Sequence, residues 1–450
     1  MKPKFKIENL KSILDPSLQL CWNFAQLGLL IFPLFPALGA VAIALAILGT
    51  GKQKFNTIIK RPLNWVIAVL SVLLVFSASL AFNRPEAFLG LGNFLPFFLL
   101  FASFAELIQT PDRLRRLAWI LVLPSLPIVI LGYWQLFLGW GSPSLLESIV
   151  GWGLIPTGNP PGRMASVFMY ANILAAYLTI VFILALGLLI ENSIIGSKKY
   201  KIREAEQLPS PQSRVPSQES LFLILVVIGN AIALILTNSR NAWALAPLAC
   251  LAFAVYLGWG WLVAAVAGIG GIVLSAAYAP SPINQLLRKI VPVFFWARLT
   301  DRNFPDRPLP YLRTTQWNFA LWMTQQRPWT GWGLRNFTPL YVAKYSTPEM
   351  QIWLGHPHSL FLMLTAEIGI PIAMLFFSLV GWVIAQSILL LRDWPGNSQD
   401  RLILFSFIVA FLGCTLFNTV DVTLFDLRVN TLGWLLLAAI CGVVYHSRVK

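Results

Sequence analysis

The chain has 450 residues, of which 57% are hydrophobic and 11% are charged, and its mean hydropathy is +0.71. This composition excludes a water-soluble globular protein, because too few polar side chains are available to cover the surface of a domain of this length. Lys and Arg outnumber Asp and Glu by 33 to 18, which gives a net charge of +15. This charge can indicate a ligand only once it is known on which side of a membrane the basic residues lie. We expect no cofactor and no nucleic-acid partner.

Repeated apolar runs of about 18 to 22 residues follow one another along the chain, and this is the length a helix needs to cross a hydrocarbon core. Because backbone polar groups in lipid must be satisfied within their own segment, the runs predict helices, and the fold class is an all-α polytopic membrane protein. The tenth run predicts a partial helix over 359–369, broken near Gly369 and Pro371, followed by a full crossing. The twelve predicted spans are 18–35, 36–50, 63–82, 88–107, 117–138, 167–190, 220–238, 242–258, 260–279, 359–390, 402–418 and 431–446.

The distribution of basic residues predicts that both termini are cytoplasmic. With that orientation the inner segments carry 20 of the 33 Lys and Arg residues, and the short outer loops carry only Arg84, Arg163, Arg240 and Arg428. Short cytoplasmic loops are enriched in basic residues, whereas long loops are exempt from this rule. We therefore expect a multi-pass membrane protein with both termini inside.

Two loops are long enough to be more than connectors. The inner segment 191–219 is rich in Ser, Pro, Gln and charge, which predicts a mobile cytoplasmic linker near lipid headgroups. The outer segment 280–357 mixes aromatic residues with arginine and contains a stretch that predicts an amphipathic helix ending before Pro328. The sequence thus predicts three parts: helices 1–279, a long outer loop 280–357, and C-terminal helices 358–450.

The long outer loop carries nine basic residues against Asp301, Asp306 and Glu349, a net charge of about +6. Arginine suits phosphate because its planar guanidinium offers paired donors and stays charged. This surplus indicates an anionic ligand, with contact to anionic lipid headgroups as the plainer alternative.

Four further positions are candidates for chemistry. Arg240 is predicted at the outer end of the seventh span, where the plainer interpretation is an arginine that reaches the lipid headgroups. Arg313 is predicted near the start of the amphipathic helix, where the plainer interpretation is an arginine on a solvated helix face. His356 and His358 lie where the long loop re-enters the membrane, and histidine is the side chain best able to take a proton near neutral pH. No acid or cysteine follows within a few residues to complete a ligand set, so we predict no metal site.

Several segments together resemble the O-antigen ligase and polymerase family of bacterial membrane glycosyltransferases. TNSRNAWALA is similar to a family Ser-Arg-Gly-Ala-Trp segment, and LRTTQWNFALWMTQQRPWTGWGLRNF to its Arg, then Trp, then Pro-x-x-Gly-x-Gly-x-x-x-Phe segment. HPHSLFLMLTAEIGIP resembles its His-Asn-x-x-Leu, then Glu-x-Gly segment, and GRMASVFMYANILAAYL a further stretch with Arg163 and Asn172 at recurrent positions. Asn241 and Ser359 depart from the family's Gly and Asn.

The resemblance implies a metal-independent inverting transferase that moves a glycan from an undecaprenyl diphosphate carrier to a lipid or glycan acceptor hydroxyl on the periplasmic face. In the family, arginines matching Arg240 and Arg313 hold the diphosphate and the histidine matching His358 is the base. Arg163, Asn172 and His356 are expected to support the site, with His356 remaining an alternative base. Ligase and polymerase activities are not separated by the sequence.

A second branch of the same family provides a competing hypothesis. QQRPWTGWGLRNF and FNTVDVTLFDLRVNTLGW resemble cyanobacterial inorganic-carbon (bicarbonate) transporters. Such a carrier needs a polar or cationic site near the bilayer midplane and internal symmetry. The sequence has no mid-span arginine and no obvious repeat, and it keeps His358, so the transferase hypothesis is favoured. A structural or receptor membrane protein without turnover is the third class.

Overall fold

The structure is a computed structural model that describes residues 16–205, 217–300, 308–348, 350–352 and 355–449. The N-terminal basic segment 1–15 and residues 206–216 of the predicted cytoplasmic linker lie outside the described residues, as do 301–307 and three positions at 349 and 353–354 in the long loop. The described helices are α1 (Gln19–Ile31), α2 (Pro36–Gln53), α3 (Phe55–Lys60), α4 (Pro62–Ser79), α5 (Arg84–Gly90), α6 (Leu95–Leu107), α7 (Pro111–Val122), α8 (Ser125–Phe137), α9 (Ser144–Val150), α10 (Ala171–Ala205), α11 (Gln218–Leu236), α12 (Arg240–Leu257), α13 (Gly260–Tyr278), α14 (Ile283–Leu287), α15 (Val293–Leu299), α16 (Arg313–Gln326), α17 (Phe337–Tyr345), α18 (Leu360–Ile368), α19 (Ile370–Arg392), α20 (Ser398–Phe417) and α21 (Leu427–Val449). Short 3-10 helices lie at Pro16–Leu18, Leu91–Asn93, Ser166–Phe168 and Leu309–Tyr311.

Among the described residues, eleven helical segments are long and apolar enough to cross a membrane. This confirms the predicted class, an all-α polytopic membrane protein. The first predicted span is not among them, because α1 itself has 13 residues and covers about 20 Å, but with the 3-10 helix Pro16–Leu18 before it and the turn after it the segment runs along most of α2, from Gly49 beside Cys21 to Gly39 beside Phe32. α1 packs antiparallel on α2, and a Cβ added to Gly49 would lie 2.6 Å from Cys21 Sγ, so the two helices are in close contact.

The predicted break in the tenth span is confirmed. α18 ends at Ile368 and α19 begins at Ile370, with Gly369 between them at a φ of +80°. Glycine takes this conformation without the steric cost that a Cβ would bring. Pro371 follows within the first turn of α19, where its missing N–H is not needed.

The centre of the bundle is formed by α10, α20 and α21, which contact one another and bury most of their described side chains. Peripheral helices such as α2, α11, α13 and α19 leave many Leu, Ile and Val side chains exposed. Such wide apolar surfaces are characteristic of helices solvated by lipid.

Polar groups collect at the two ends of the bundle. Near one end, Arg115 of α7 lies 2.6 Å from Glu191 of α10 and 3.0 Å from Asp400 of α20, so one guanidinium joins three helices. Asn172 lies at the other end of α10, nineteen residues before Glu191. That separation corresponds to about 28 Å, close to the thickness of a hydrocarbon core. We call the end with Asn172 the site face.

The long loop is itself folded. α14, α15, α16 and α17 all fall within it, and α16 ends at Gln326, as the amphipathic pattern predicts. Side chains of α16 and α17 form a second, smaller hydrophobic cluster with Ile352 and Ala366. Within that cluster Phe319 makes edge contacts with Phe337 and Tyr341 at centroid separations of 5.6 and 5.1 Å. The loop is therefore a small folded layer over the site face.

Candidate functional site

His358 and Asp421 form the central pair of the site face. His358 Nδ1 lies 3.2 Å from Asp421 Oδ1, and the carboxylate side chain is only 4% exposed. His358 immediately precedes the N-cap of α18 and has a φ of +52°. Non-glycine residues seldom adopt this conformation, and they keep it where the surrounding structure fixes them, often at functional sites.

The hydrogen bonds around the two histidines define their tautomers. His356 Nδ1 accepts the backbone N–H of His358 at 3.2 Å, so a neutral His356 carries its proton on Nε2. Burial, with the neighbouring His358 and Arg313, lowers the pKa of His356 to about 4, so this ring is neutral near pH 7. A protonated Nε2 has no lone pair to accept a proton or bind a metal.

Asp421 is ionised in this arrangement. Burial alone would raise its pKa, but the hydrogen bond and charge of His358, together with His356 and the Val422 N–H, hold the pKa below its usual value. The ionised carboxylate accepts Nδ1–H of His358, which leaves the lone pair of His358 on Nε2. Among the described residues, no hydrogen bond to this Nε2 is found.

A chain of polar contacts continues from Asp421 to Arg163. The side-chain amide of Asn172 donates to Asp421 Oδ2 at 2.7 Å, and its carbonyl oxygen accepts from Arg163 at 2.5 Å. Arg163 also donates from Nε to the Thr237 carbonyl oxygen at 2.8 Å, and burial lowers its pKa. These contacts indicate that Arg163 and Asn172 orient Asp421 and, through it, His358.

Arg240 and Arg313 lie close to this chain. Each is the first residue of its helix, α12 and α16 respectively, and both are half-buried. The charges of both act on Arg163, and that of Arg313 also acts on His356. The structure thus brings together all six residues that the sequence singled out: His356, His358, Arg163, Arg240, Arg313 and Asn172.

Helix N-termini converge on the same place. α10, α12, α16 and α18 each begin within two residues of a site residue. The N-terminal end of a helix carries partial positive charge and unpaired N–H groups. Together with three guanidinium groups against one carboxylate, this makes the site face attractive to an anion.

The residues that depart from the family pattern have structural roles here. The Asn241 side chain donates to the Phe417 carbonyl oxygen at 3.3 Å and so joins the start of α12 to the end of α20. Ser359 caps α18, with its Oγ accepting from Leu362 N at 3.5 Å, a role that asparagine fills equally well.

The segment between α20 and α21 supplies the residue that sequence reasoning left without a role, Asp421. Asn418 accepts from Thr423 N at 2.9 Å, and Asp426 pairs with Arg428 at 2.9 Å. Arg428 also donates to the Val167 carbonyl oxygen at 2.9 Å, which fixes the segment next to Arg163. The polar residues of this segment therefore hold the site together.

A three-residue cluster of metal-ligand type is also present. Ligand atoms of His356, His358 and Asp421 lie within 4.8 Å of one another. No acid lies within a few residues of the histidines along the sequence, but the fold brings Asp421, 63 residues along the chain, to 3.2 Å from His358. The arrangement still suits a cation poorly, since His356 Nε2 is protonated and the charges of Arg163 and Arg313 lie nearby.

The other family motifs attach the loop layer to the bundle. Gly333 N donates to the Glu367 carbonyl oxygen at 2.7 Å, and Ile370 N donates to the Pro328 carbonyl oxygen at 2.8 Å. The Glu367 carboxylate accepts from Phe337 N, at the start of α17, at 3.0 Å. The Pro-x-x-Gly-x-Gly and Glu-x-Gly segments therefore form one backbone-to-backbone joint, which we call the loop anchor.

The loop anchor depends on glycine. We expect Gly369→Ala to lower the free energy of unfolding by about 2–3 kcal/mol, because the left-handed φ would be strained and the new Cβ would lie 2.5 Å from the Trp329 carbonyl oxygen. The measurement is the Tm of the purified protein in detergent. Gly355→Ala is the control, since a Cβ there meets no atom within 4 Å, and equal Tm values for the two variants would contradict the anchor.

One known family matches part of the chain. Residues 223–377 match the Wzy_C family, described as O-antigen ligase. The matched segment runs from α11 into α19 and contains Arg240, Arg313, His356 and His358, whereas Arg163, Asn172 and Asp421 lie outside it. No curated protein matches the chain. The match over residues 223–377 of this multi-pass membrane protein supports the family that the sequence motifs predict, the O-antigen ligase family, an enzymatic family of ligases and polymerases.

Proposed function

We propose that this protein transfers a glycan from undecaprenyl diphosphate to the hydroxyl of a lipid or glycan acceptor, by a metal-independent inverting displacement. The observation that carries the proposal is the His358–Asp421 pair beside Arg163, Arg240 and Arg313 on one face of the bundle. A base next to a concentration of positive charge suits a reaction in which a hydroxyl attacks and a diphosphate leaves.

In the proposed reaction His358 is the general base. Its Nε2 takes the proton of the acceptor hydroxyl while that oxygen forms a bond to the anomeric carbon. The bond from the anomeric carbon to the diphosphate oxygen breaks, and its electron pair goes to the diphosphate. Asp421, held by Asn172 and the Val422 N–H, orients His358 and stabilises the imidazolium that forms.

Arg240 and Arg313 are proposed to bind the two phosphates of the donor. Paired guanidinium donors match phosphate oxygens, and their charge offsets the negative charge that grows on the leaving group. Many glycosyltransferases that use nucleotide donors place a divalent ion at this point. Here the guanidinium groups and helix N-termini supply the positive potential instead.

The transporter hypothesis has less support. The segment shared with the bicarbonate-transporter branch uses Asn418, Asp421, Asp426 and Arg428 for contacts that hold the site together at one face. Asn230 of α11 is a polar side chain buried within a span, and it donates to Ser125 Oγ of α8 and to the Val226 carbonyl oxygen of its own helix. The first contact joins two helices and the second lies within α11, so Asn230 serves packing, which favours the transferase.

The orientation and organisation follow from the proposed function. With both termini cytoplasmic, the site face is periplasmic, where undecaprenyl-linked glycans are used. Segment 280–357 then serves as a folded cover between the helices 1–279 and 358–450. Membrane lipids surround the helices and lie beside the cover.

Asp421→Asn tests the positioning role of the carboxylate. We expect kcat for glycan transfer to fall by about 10²-fold or more with little change in KM, because an amide can donate to His358 Nδ1 and favour the wrong tautomer. Asp112→Asn is the control, since Asp112 is exposed and pairs with Arg115 at the opposite end of the bundle. Unchanged kcat in Asp421→Asn would exclude the pair as the working base.

A deletion strain separates the two candidate functions. Cells lacking the gene, with or without the restored wild-type copy, are compared for surface glycans on gels and for uptake of radiolabelled bicarbonate. We expect the deletion to change the glycan ladder and to leave uptake intact. An intact ladder with slowed uptake would reverse the assignment.

A further inference from the structure

An apolar cavity of about 330 Å³ lies between membrane-spanning helices, in the half of the bundle nearer the site face. It is bounded by α18, α19, α20 and α21, and its walls are almost entirely hydrocarbon. Aromatic side chains form much of the lining, including Phe361, Phe376, Phe377, Phe411 and Trp434. We call it the α19–α21 cavity.

The upper rim of this cavity adjoins the candidate site. Leu360 and Asn418 both line it, and they are joined by a hydrogen bond of 2.9 Å from Leu360 N to the Asn418 carbonyl oxygen. Leu360 is two residues from His358, and Thr423, also on the rim, is two residues from Asp421. A chain attached to a group held at the site face can thus pass directly into an apolar space.

We propose that the α19–α21 cavity binds the isoprenoid chain of the lipid-linked donor, in the units nearest the diphosphate. This inference rests on the proposed function. A cavity of about 150 Å³ accommodates a benzene molecule, so this one has room for roughly two isoprene units. An isoprenoid chain suits the site better than a free acyl chain, because it carries a diphosphate and the guanidinium groups of the nearby arginines are suited to binding a diphosphate.

Gly381 of α19 lies on the wall of the cavity. A Cβ added to Gly381 would meet no atom within 4 Å, so a larger side chain there enters the cavity without displacing protein. Gly268 of α13 is an exposed mid-helix glycine with the same open surroundings, and it is not among the residues that line the cavity. Leucine at either position raises helix propensity, so neither variant is expected to impair folding.

The experiment measures binding of undecaprenyl diphosphate to the full chain in nanodiscs, for wild type, Gly381→Leu and Gly268→Leu. Geranyl diphosphate serves as a short-chain probe and dioleoyl phosphatidylglycerol as a competing membrane lipid. We expect Gly381→Leu to raise the Kd for undecaprenyl diphosphate about tenfold, or about 1.4 kcal/mol. Gly268→Leu is expected to match wild type.

Two binding results would overturn the inference. Equal Kd values for Gly381→Leu and wild type would place the chain elsewhere. In the other result, phosphatidylglycerol competes with the donor as strongly as geranyl diphosphate does, and Gly381→Leu weakens this competition. The cavity would then be a general lipid site. Glycan transfer is measured separately, so a protein that binds the isoprenoid in the cavity yet transfers no glycan would refute the proposed function and leave this inference standing.

Discussion

Replacing His358 by alanine is expected to reduce kcat for glycan transfer by about 10²–10⁴-fold, the usual contribution of a positioned general base. The expectation follows from the hydrogen bond between His358 Nδ1 and Asp421 at 3.2 Å, which directs the lone pair on Nε2 away from the carboxylate. The measurement is the rate of transfer from an undecaprenyl diphosphate-linked glycan by purified protein in detergent or nanodiscs.

His356→Ala is the matched control for that experiment. Burial lowers the pKa of His356 to about 4, and its Nδ1 accepts the His358 N–H, so this ring carries a proton on the nitrogen nearer Asp421. We expect kcat to stay within about tenfold of wild type, since the general base remains. If His356→Ala loses the larger share of kcat, the two histidines have the opposite roles.

Arg240→Ala and Arg313→Ala are each expected to lower kcat/KM by about 10²–10³-fold, the cost of removing one preorganised group that stabilises developing charge. Lysine at either position keeps the charge but loses the paired donors, and we expect it to recover only a small part of the activity. The measurement is the dependence of the transfer rate on donor concentration.

Arg288→Ala is the control for the arginine variants. Arg288 belongs to the same loop layer, but it donates to the Ala276 carbonyl oxygen at 2.8 Å and packs on Trp296. Its removal is expected to leave kcat/KM close to wild type. Full activity of both lysine variants would refute paired contacts with a diphosphate.

The fold could be predicted to the level of its spans, because the length of an apolar run and the need to satisfy the backbone in lipid are local properties. The break at Gly369 was also predictable, since glycine and proline act on their own neighbourhood. The shortness of α1 was not. Its apolar run continues past Ile31 into a turn at Phe32–Phe35, and only packing against α2 shows where the helix ends.

The sequence predicted the residues of the candidate site but not the contacts between them. Arg240, Arg313 and His358 were singled out by residue type and position, and the family motifs gave them roles; the structure adds the electrostatic and hydrogen-bonded connections between them. Asp421 was seen only as part of a resemblance, because an acid 63 residues from a histidine gives no local signal. Its position between the last two spans, in a segment with several polar residues, was the available clue.

The positive charges of the long loop do not all serve the candidate site. Arg335 pairs with Glu86 at 2.9 Å, Arg327 lies over Trp332, and Lys344 lies over Phe319 and Trp322. Several basic residues therefore stabilise the loop layer itself. Arg313 is the described basic residue of the loop whose charge acts on Arg163 and His356, and the inference of an anionic ligand depends chiefly on it and on Arg240.

The central claim is a division of labour, in which the arginines bind the donor diphosphate and the His358–Asp421 pair activates the acceptor. The most direct test is the Kd of undecaprenyl diphosphate for His358→Ala, Arg240→Ala and Arg313→Ala. We predict that His358→Ala binds within about twofold of wild type, whereas each arginine variant binds about tenfold more weakly or worse. Wild-type affinity in both arginine variants, or an equal loss in His358→Ala, would contradict the claim.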